Sequence, residues 1–263
     1  MAKILAVTNQ KGGVGKTTTS VNLAASLAAT KQRVLLIDLD PQGNATMGSG
    51  IDKHQLKKSV YQVLLGICTL NDACQRSEAG RYDVLPANRD LAGAEVELVE
   101  MSGREMRLRD AVSAVEEEYD YVLIDCPPTL NLLTLNGLCA AHAVMIPMQC
   151  EYYALEGLSD LVNTIRRVRS HLNSRLEIEG LLRTMFDPRS TLAQQVSQQL
   201  QQHFGSKVYR TVIPRNIRLA EAPSYGVPVL VHDKSSKGAR AYLALAGELL
   251  NNAARAAQSA QGE

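Results

Sequence analysis

A short segment near the start of the chain combines glycine, lysine and threonine in a pattern suited to binding a triphosphate. Residues 11–18 read KGGVGKTT and lie between an apolar run and a stretch rich in alanine and leucine. Proteins hold phosphate oxygens with backbone N–H groups, the positive N-terminus of a helix and a lysine, while a hydroxyl ligates Mg²⁺. The nucleotide-binding residues predicted here are Gly12, Gly13, Val14, Gly15, Lys16, Thr17 and Thr18.

Three aspartates follow apolar runs in which strands are expected. Asp38 and Asp40 come after one run, and Asp125 comes directly after another. Ligand sites in open α/β sheets lie at the carboxyl ends of the strands, so carboxylates there can hold Mg²⁺, often through its water ligands. We therefore predict a metal site formed by Thr17 and by Asp125 acting through water, with Asp40 as a further candidate. Asp38 and Asp40 have a second interpretation, since either can cap the turn that follows.

Lys11 departs from the usual phosphate-loop pattern. In GxxxxGK[ST] the first glycine would fall at position 10, which is Gln10, and the chain has a second lysine in addition to Lys16. Two like charges in one loop are unfavourable unless a polyphosphate lies between them or one side chain points towards a partner's phosphate. The motif KGGxGKT resembles the deviant Walker A motif of the ParA/Soj/MinD ATPases. This resemblance implies that Lys11 reaches the partner's nucleotide in an ATP-sandwich homodimer that forms on ATP.

Two further motifs carry the same resemblance. The segment DLDPQGN resembles the switch I segment of these ATPases, which implies that Asp40 orients the attacking water and that Lys11, Lys16 and Asp40 form the catalytic set. The segment DCPP, which begins at Asp125, resembles their switch II. Phosphoryl transfer depends more on positioning and charge than on covalent chemistry, so one carboxylate and a few cations suffice for slow hydrolysis of ATP with Mg²⁺.

Two segments in the second half resemble chromosomal ParA proteins more narrowly. CEYYALEGL is similar to a stretch at their dimer face, which makes Glu151 a candidate contact to the partner's ribose. Alternatively, Glu151 stabilises the first turn of a helix through the helix dipole. VIPRN is similar to their adenine-side loop, and this implies that Pro214 and Asn216 flank the base.

Basic residues of the second half are candidates for contacts with DNA phosphates. Arg189 and Arg218 match arginines that bind DNA in Soj-like proteins, whereas Arg215 and Lys207 are weaker candidates. A dimer would present each of these cations twice on one surface. The arginines between 166 and 175 are expected to form a solvated helix face instead.

Apolar runs alternate with stretches of helical periodicity along the chain. Runs rich in Val, Ile and Leu without polar alternation are typical of strands covered by helices on both faces. They occupy residues 4–7, 34–37, 121–124, 144–146, 181–185 and 208–213, and helices are predicted at 17–29, 104–117, 155–172, 191–203 and 239–254. This alternation predicts an α/β fold with a doubly wound, mostly parallel sheet flanked by helices, as in P-loop NTPases. We expect one domain at 1–250 and a frayed tail at 251–263.

The composition of the 263 residues excludes several classes of protein. Hydrophobic residues make up 45% and charged residues 21%, so the chain can bury a core and is not disordered. A net charge of +1 gives no overall field that would attract nucleic acid, and 4% aromatic residues argue against recognition of single strands by stacking. Five cysteines without metal-type spacing predict reduced thiols in the cytoplasm. No run approaches the ~20 apolar residues of a membrane span.

Three functions from different classes are compatible with this nucleotide site. The resemblance implies a cytoplasmic, nucleoid-associated ATPase for chromosome or plasmid partitioning, which binds double-stranded DNA non-specifically as an ATP-dependent homodimer and is stimulated by a ParB-type protein. The alternative is a MinD-like membrane-associated division-site ATPase, but the segment from Asn251 has too few large apolar residues for a membrane-binding helix, so no membrane partner is expected. A metabolic or electron-transfer enzyme would need a cluster motif or a substrate loop, and neither is recognisable.

Overall fold

The computed structural model describes residues 1–261 and places eight strands of this part of the chain in one sheet. The strands are β1 (Lys3–Val7), β2 (Val34–Asp38), β3 (Gln75–Ser77), β4 (Tyr82–Leu85), β5 (Tyr121–Asp125), β6 (Ala143–Gln149), β7 (Glu177–Phe186) and β8 (Val208–Pro214). Their order is β3-β4-β2-β5-β1-β6-β7-β8, and every pairing is parallel except that of β3 with β4. This confirms the predicted fold class.

Helices connect the strands and cover both faces of the sheet. They are α1 (Lys16–Ala29), α2 (Asn44–Gly48), α3 (Val60–Leu65), α4 (Leu70–Ala73), α5 (Leu91–Glu97), α6 (Arg107–Ser113), α7 (Leu132–Ala140), α8 (Ala154–His171), α9 (Thr191–Phe204), α10 (Ile217–Glu221), α11 (Val229–His232) and α12 (Lys237–Gln261). Short 3₁₀ turns join several of them.

The continuous apolar runs are explained by two hydrophobic layers, one on each face of the sheet. Along β1, Ile4 and Ala6 pack into the layer that includes residues of α7 and α8, while Leu5 packs into the layer formed with α1 and α12. Successive side chains of a strand point to opposite faces, so a strand between two helical layers is apolar at every position. The central position of β1, β2 and β5 brings the loops after these strands to one edge of the sheet, where the predicted site residues lie.

The structure differs from the sequence prediction in its short elements. The strands β3 and β4 were not predicted, because three or four residues are too few to show a period and β3 is a polar, antiparallel edge strand. The helix expected at 104–117 is a shorter helix, Arg107–Ser113, followed by a 3₁₀ turn. Helix α12 extends to Gln261, into the segment for which a frayed tail is predicted from residue 251, and the fraying stays a prediction; residues 262 and 263 lie outside the described part of the chain.

Within residues 1–261, the structure contains no helix that combines the length and the hydrophobicity needed to cross a bilayer.

Candidate nucleotide-binding site

The phosphate loop connects the end of β1 to the start of α1. Gly13 and Gly15 have φ angles of 72° and 89°, in the left-handed region where a side chain would be strained. The Gly15 carbonyl accepts the Thr19 N–H at 2.9 Å, which begins the helical hydrogen bonding of α1 directly after the loop. A Cβ added at Gly12 or Gly13 would meet no atom within 4 Å, so there is room beside this backbone. The loop therefore fits an anion at a helix N-terminus.

Two polar side chains that the sequence analysis did not select hold this loop against the sheet. Thr184, near the end of β7, donates a hydrogen bond from Oγ1 to the Val14 carbonyl at 2.7 Å. Asn9 donates from Nδ2 to the Pro147 carbonyl at 2.8 Å and accepts the Lys11 N–H through Oδ1 at 3.0 Å. Their sequence positions carry one weak signal, which is that each lies at the carboxyl end of a strand.

The Lys16 side chain is buried and lies along the phosphate loop. Its ammonium donates to the Lys11 carbonyl at 3.1 Å, and only 8% of the residue is exposed. Burial lowers the pKa of Lys16, and the nearby carboxylate of Asp125 opposes that shift. A buried ammonium with one neutral acceptor is under-solvated, so it is ready to exchange the carbonyl for phosphate oxygens.

Asp125 accepts hydrogen bonds from two hydroxyl groups of α1. Thr17 Oγ1 lies 2.8 Å from Asp125 Oδ2, and Ser20 Oγ lies 2.9 Å from Asp125 Oδ1. The structure thus brings together the predicted metal residues Thr17 and Asp125, and it adds Ser20, whose only sequence signal is its place one turn after Thr17. In residues 1–261, no group of three or more His, Cys, Asp or Glu side chains is arranged to hold a metal ion. The hydroxyl of Thr17 and the carboxylate of Asp125 are oxygen donors, which suit an ion such as Mg²⁺ that keeps waters and phosphate oxygens as further ligands.

Asp38 and Asp40 both accept hydrogen bonds from the turn that follows, but they differ in burial and in the number of these bonds. Asp38 is fully buried; its Oδ2 accepts both the N–H and the hydroxyl of Thr46 at 2.8 Å, and its Oδ1 accepts the Asp40 N–H at 3.1 Å. Asp38 therefore fixes the start of α2. Asp40 is half-buried and accepts one hydrogen bond, from the Gln42 N–H to Oδ1 at 2.9 Å. In the described part of the chain its second carboxylate oxygen has no hydrogen-bond donor, so it is available to a water molecule.

The buried carboxylates of Asp38 and Asp125 lie opposite each other on adjacent strands. The two residues are directly paired in the β2–β5 register. Burial and the mutual repulsion between them raise the pKa of Asp125, and burial is the main cause of the raised pKa of Asp38. In the absence of a cation, the pair therefore retains protons at pH values where exposed aspartates are ionised.

This proton retention predicts a pH dependence of stability in the nucleotide-free protein. Aspartates of the unfolded chain ionise near pH ~4, whereas the folded state still binds protons above that pH. The free energy of unfolding should therefore fall as pH rises from about 4 towards neutral, by at most about 1.4 kcal/mol per pH unit for each proton. Urea unfolding without nucleotide or Mg²⁺ should show a shallower fall for Asp125→Asn than for wild type.

A matched control uses an exposed aspartate. The pKa of Asp52 is lowered by a hydrogen bond from the backbone of His54, so Asp52→Asn should retain the wild-type slope over this pH range. Parallel profiles for wild type and Asp125→Asn would show that Asp125 is ionised in the folded protein and would contradict the prediction.

A small cavity adjoins the phosphate loop at the end of β8. It has a volume of about 190 Å³ and is lined by Gly15, Thr18, Pro214 and Asn216 among others. This volume suits a heteroaromatic base better than a whole nucleotide, since sites for drug-sized ligands are larger. The Asn216 Oδ1 atom is buried and has no hydrogen-bond partner in the described part of the chain.

Lys11 and Glu151, both predicted to contact nucleotide, form an ion pair with each other. Lys11 Nζ lies 2.5 Å from Glu151 Oε2, and the two side chains are 44% and 50% exposed. Neither side chain is committed to the phosphate loop of its own chain in this conformation. The two tyrosines that follow Glu151 are also exposed, Tyr152 by 75% and Tyr153 by 69%.

A basic groove lies next to the small cavity at the end of β8, which we call the base cavity. We define the groove by Phe186, Asp187, Pro188, Arg189, Pro214, Arg215 and Lys237. It has a volume of about 530 Å³ and contains two of the predicted DNA-binding residues, Arg189 and Arg215. Arg218 lies three residues further along the chain, in the first turn of α10. Lys207 immediately precedes β8, at the opposite end of that strand from Arg215, so the structure does not bring Lys207 to the groove.

Comparisons with known proteins agree with this arrangement. Residues 2–178 match a family model described as an AAA domain. The chain is 55% identical over 252 residues to Sporulation initiation inhibitor protein Soj of Bacillus subtilis, covering 96% of this chain and 100% of the relative. It is 53% identical over 251 residues to Chromosome partitioning protein ParA of Caulobacter vibrioides, covering 95% of this chain and 94% of the relative.

A solved structure gives the same fold. Cobyrinic acid a,c-diamide synthase from Mycobacterium smegmatis, crystallised with a bound ATP analog and magnesium, has a TM-score of 0.83 and 41% sequence identity to this chain. The match covers 95% of each chain.

Proposed function

Because the chain belongs to the ParA/Soj family, we propose that it is an ATP-dependent DNA-partitioning protein. Two copies enclose ATP between them, the dimer binds duplex DNA without sequence preference, and slow hydrolysis, stimulated by a ParB-type protein, releases it. The protein would then act in the cytoplasm on the nucleoid. The relatives of 55% and 53% identity that carry the names Soj and ParA support this proposal.

One feature of the structure supports the proposal in addition to the named relatives. The segment from Pro214 to Arg215 lines the base cavity on one side and the basic groove on the other. Arg215 is exposed at the groove, and the neighbouring Asn216 presents a buried acceptor without a partner beside the cavity. Binding of a base at Asn216 would therefore act on the same backbone that carries a cation of the groove. A nucleotide-dependent DNA contact needs such a shared segment.

The nucleotide site has the groups needed for binding and slow hydrolysis. We assign the metal to Thr17 and Asp125, where bound Mg²⁺ would neutralise charge on the phosphates. Lys16 would bind phosphate oxygens in place of the Lys11 carbonyl. Asp40 would orient the attacking water through its uncommitted oxygen. The other two aspartates at these strand ends, Asp38 and Asp125, are less accessible, because both are fully buried.

The proposed dimer is formed through the surface that carries Lys11 and Glu151. Breaking their ion pair frees an ammonium and a carboxylate for the partner's nucleotide. Exposed ion pairs contribute only about 0–1 kcal/mol, so this exchange has a low cost. Exposed tyrosines such as Tyr152 and Tyr153 are enriched at protein interfaces, which supports placing the dimer contact here.

The proposal predicts that DNA binding depends on the nucleotide. With ATP and Mg²⁺ the protein should dimerise and shift duplex DNA of any sequence, whereas with ADP it should remain monomeric and bind weakly. If on the order of 6 phosphates are engaged, the log–log salt slope should be near −5. Sedimentation, gel shifts and an ATPase assay with and without DNA and a ParB-type protein measure these properties.

Two outcomes would contradict the proposal. Equal DNA retention by the ADP-bound protein would remove the nucleotide switch. Flotation with liposomes in ATP, without any DNA shift, would favour the membrane-associated alternative.

A further inference from the structure

Arg189 of the basic groove is held by a carboxylate of its own loop. Asp187 Oδ1 accepts hydrogen bonds from the Arg189 N–H and Nε at 3.0 Å, and Asp187 Oδ2 accepts one from an Arg189 terminal nitrogen at 2.9 Å. The Arg189 side chain is 88% exposed, so this two-point contact is formed in solvent rather than forced by packing. The geometry is the one in which a guanidinium binds phosphate.

Arg218 is held in the same way, by carboxylates from two different segments. An Arg218 terminal nitrogen donates to Glu221 Oε2 at 2.8 Å, and Arg218 Nε lies 3.4 Å from Asp233 Oδ2. The His232 side chain also lies beside Glu221, with Nε2 3.5 Å from the same carboxylate oxygen. Arg189 and Arg218, the two predicted DNA-binding residues that match arginines of Soj-like proteins, therefore both have guanidinium groups paired with carboxylates.

The other two cations of the groove, Arg215 and Lys237, differ from Arg189 in their ion pairs. In the described part of the chain, neither Arg215 nor Lys237 forms an ion pair within 4 Å. Arg189 and Arg215 both contribute to lowering the pKa of Asp187, to about 2, so this carboxylate is ionised at every physiological pH. Asp187 is therefore a permanent negative charge between two cations of the groove.

We propose that Asp187 is an internal competitor of DNA phosphate, which limits the affinity of each protomer by occupying Arg189, with Glu221 and Asp233 acting in the same way on Arg218. This inference rests on the proposed function, since it concerns how strongly the DNA surface binds. A phosphate must displace the carboxylate before it gains the guanidinium, so one charge-assisted contact replaces another and the net gain is small. The displaced carboxylate also takes up a cation, which cancels the counterion released from the phosphate.

Such a competitor makes DNA binding depend on dimerisation. A protomer whose best arginines are occupied binds DNA weakly, and only the sum over two protomers holds the DNA. Without this competition, the nucleotide-free monomer would bind DNA about two- to fivefold more tightly, and DNA retention would report the nucleotide state less sharply.

The variant that tests the proposal is Asp187→Asn. Asparagine keeps an oxygen that can accept the Arg189 N–H, so the turn before α9 is retained while the charge is removed. An exposed ion pair of this kind corresponds to about a two- to fivefold effect for each protomer, so ATP-dependent dimers should bind duplex DNA about 4-fold to 25-fold more tightly. The log–log salt slope should steepen by about 2 for the dimer. ATP affinity should be unchanged.

Loss of a negative charge near DNA would by itself increase affinity, so a double-mutant cycle is needed. If Asp187 acts by occupying Arg189, Asp187→Asn gives a much smaller gain in affinity in an Arg189→Ala background, because only the general effect of its charge remains there. An equal gain in affinity in both backgrounds overturns the proposal. So does unchanged affinity of the single variant.

A control variant and the wild-type result separate this proposal from the proposed function. Asp110→Asn removes an exposed partner of Arg109 outside the groove and should leave DNA affinity unchanged. If wild-type protein with ATP does not bind DNA, the proposed function fails. If it binds and Asp187→Asn does not tighten binding, only the competitor role fails.

Discussion

Replacing Lys16 with alanine is expected to abolish nucleotide binding and, with it, dimerisation and DNA binding. The Lys16 ammonium is buried against the phosphate loop, and its single hydrogen bond in the loop is to the Lys11 carbonyl. A hydrogen bond to a charged group contributes about 1.5–3 kcal/mol, so loss of two bonds to phosphate oxygens costs about 3–6 kcal/mol. This corresponds to a reduction of ATP affinity by about two to four orders of magnitude.

The measurement is a titration of Lys16→Ala with a fluorescent ATP analogue, followed by sedimentation and DNA gel shifts with ATP and Mg²⁺. The matched control is Lys11→Ala, which removes a lysine from the same loop. The Lys11 side chain points to Glu151 rather than to the loop, so this variant should keep ATP affinity and lose the dimer. Near-wild-type ATP binding by a folded Lys16→Ala protein, with an unchanged thermal unfolding profile, would contradict the assignment.

The central part of the fold was predictable because its strands are buried on both faces. The runs that form β1, β2 and β5 contain only apolar residues before their terminal polar positions, and this pattern has few alternatives. The glycine-rich loop was predictable because the positive φ angles at residues 13 and 15 favour glycine. Both signals are local in the sequence, so one chain suffices to detect them.

The hydrogen bonds that complete the site could not be predicted, because they join residues far apart in the chain. Ser20 meets Asp125 across 105 positions, and Thr184 meets Val14 across 170. Thr46 also binds Asp38, and nothing distinguishes it from the other threonines of the chain before the loops are folded. The ion pairs that occupy Arg189 and Arg218 are closer in sequence, but an exposed arginine beside an aspartate is too common to indicate a function.

The small net charge of the chain agrees with these ion pairs. A charge of +1 excludes a protein that binds DNA through an overall positive field. The structure places positive charge locally, in the basic groove, and places carboxylates beside Arg189 of the groove and beside Arg218. Under the proposed function, affinity for DNA would depend on how many copies of the groove are held together, and the nucleotide would control that number.

Replacing Asp40 with alanine is expected to trap the protein on DNA as an ATP-bound dimer. Asp40 lies beyond the end of β2 with one carboxylate oxygen bound by the Gln42 N–H and the other available to water. Removal of a group that positions or deprotonates the nucleophile lowers the rate of the chemical step by about 100-fold or more. Binding of ATP depends on Lys16, Thr17 and the loop, so the variant should still dimerise. Its DNA complex should persist in ATP long after the wild-type complex has dissociated.

Single-turnover hydrolysis and the lifetime of the DNA complex, both measured with ATP and Mg²⁺, test this expectation. Asp40→Asn is the structural control, because its amide oxygen can still accept the Gln42 N–H while it cannot take a proton from water. Trapping by both variants would assign the effect to the carboxylate, whereas trapping by Asp40→Ala alone would assign it to the conformation of the loop. Rapid hydrolysis by either folded variant would remove Asp40 from the catalytic set. The nearby Asp38 would not replace it, since both of its oxygens are committed to Thr46 and to the Asp40 backbone.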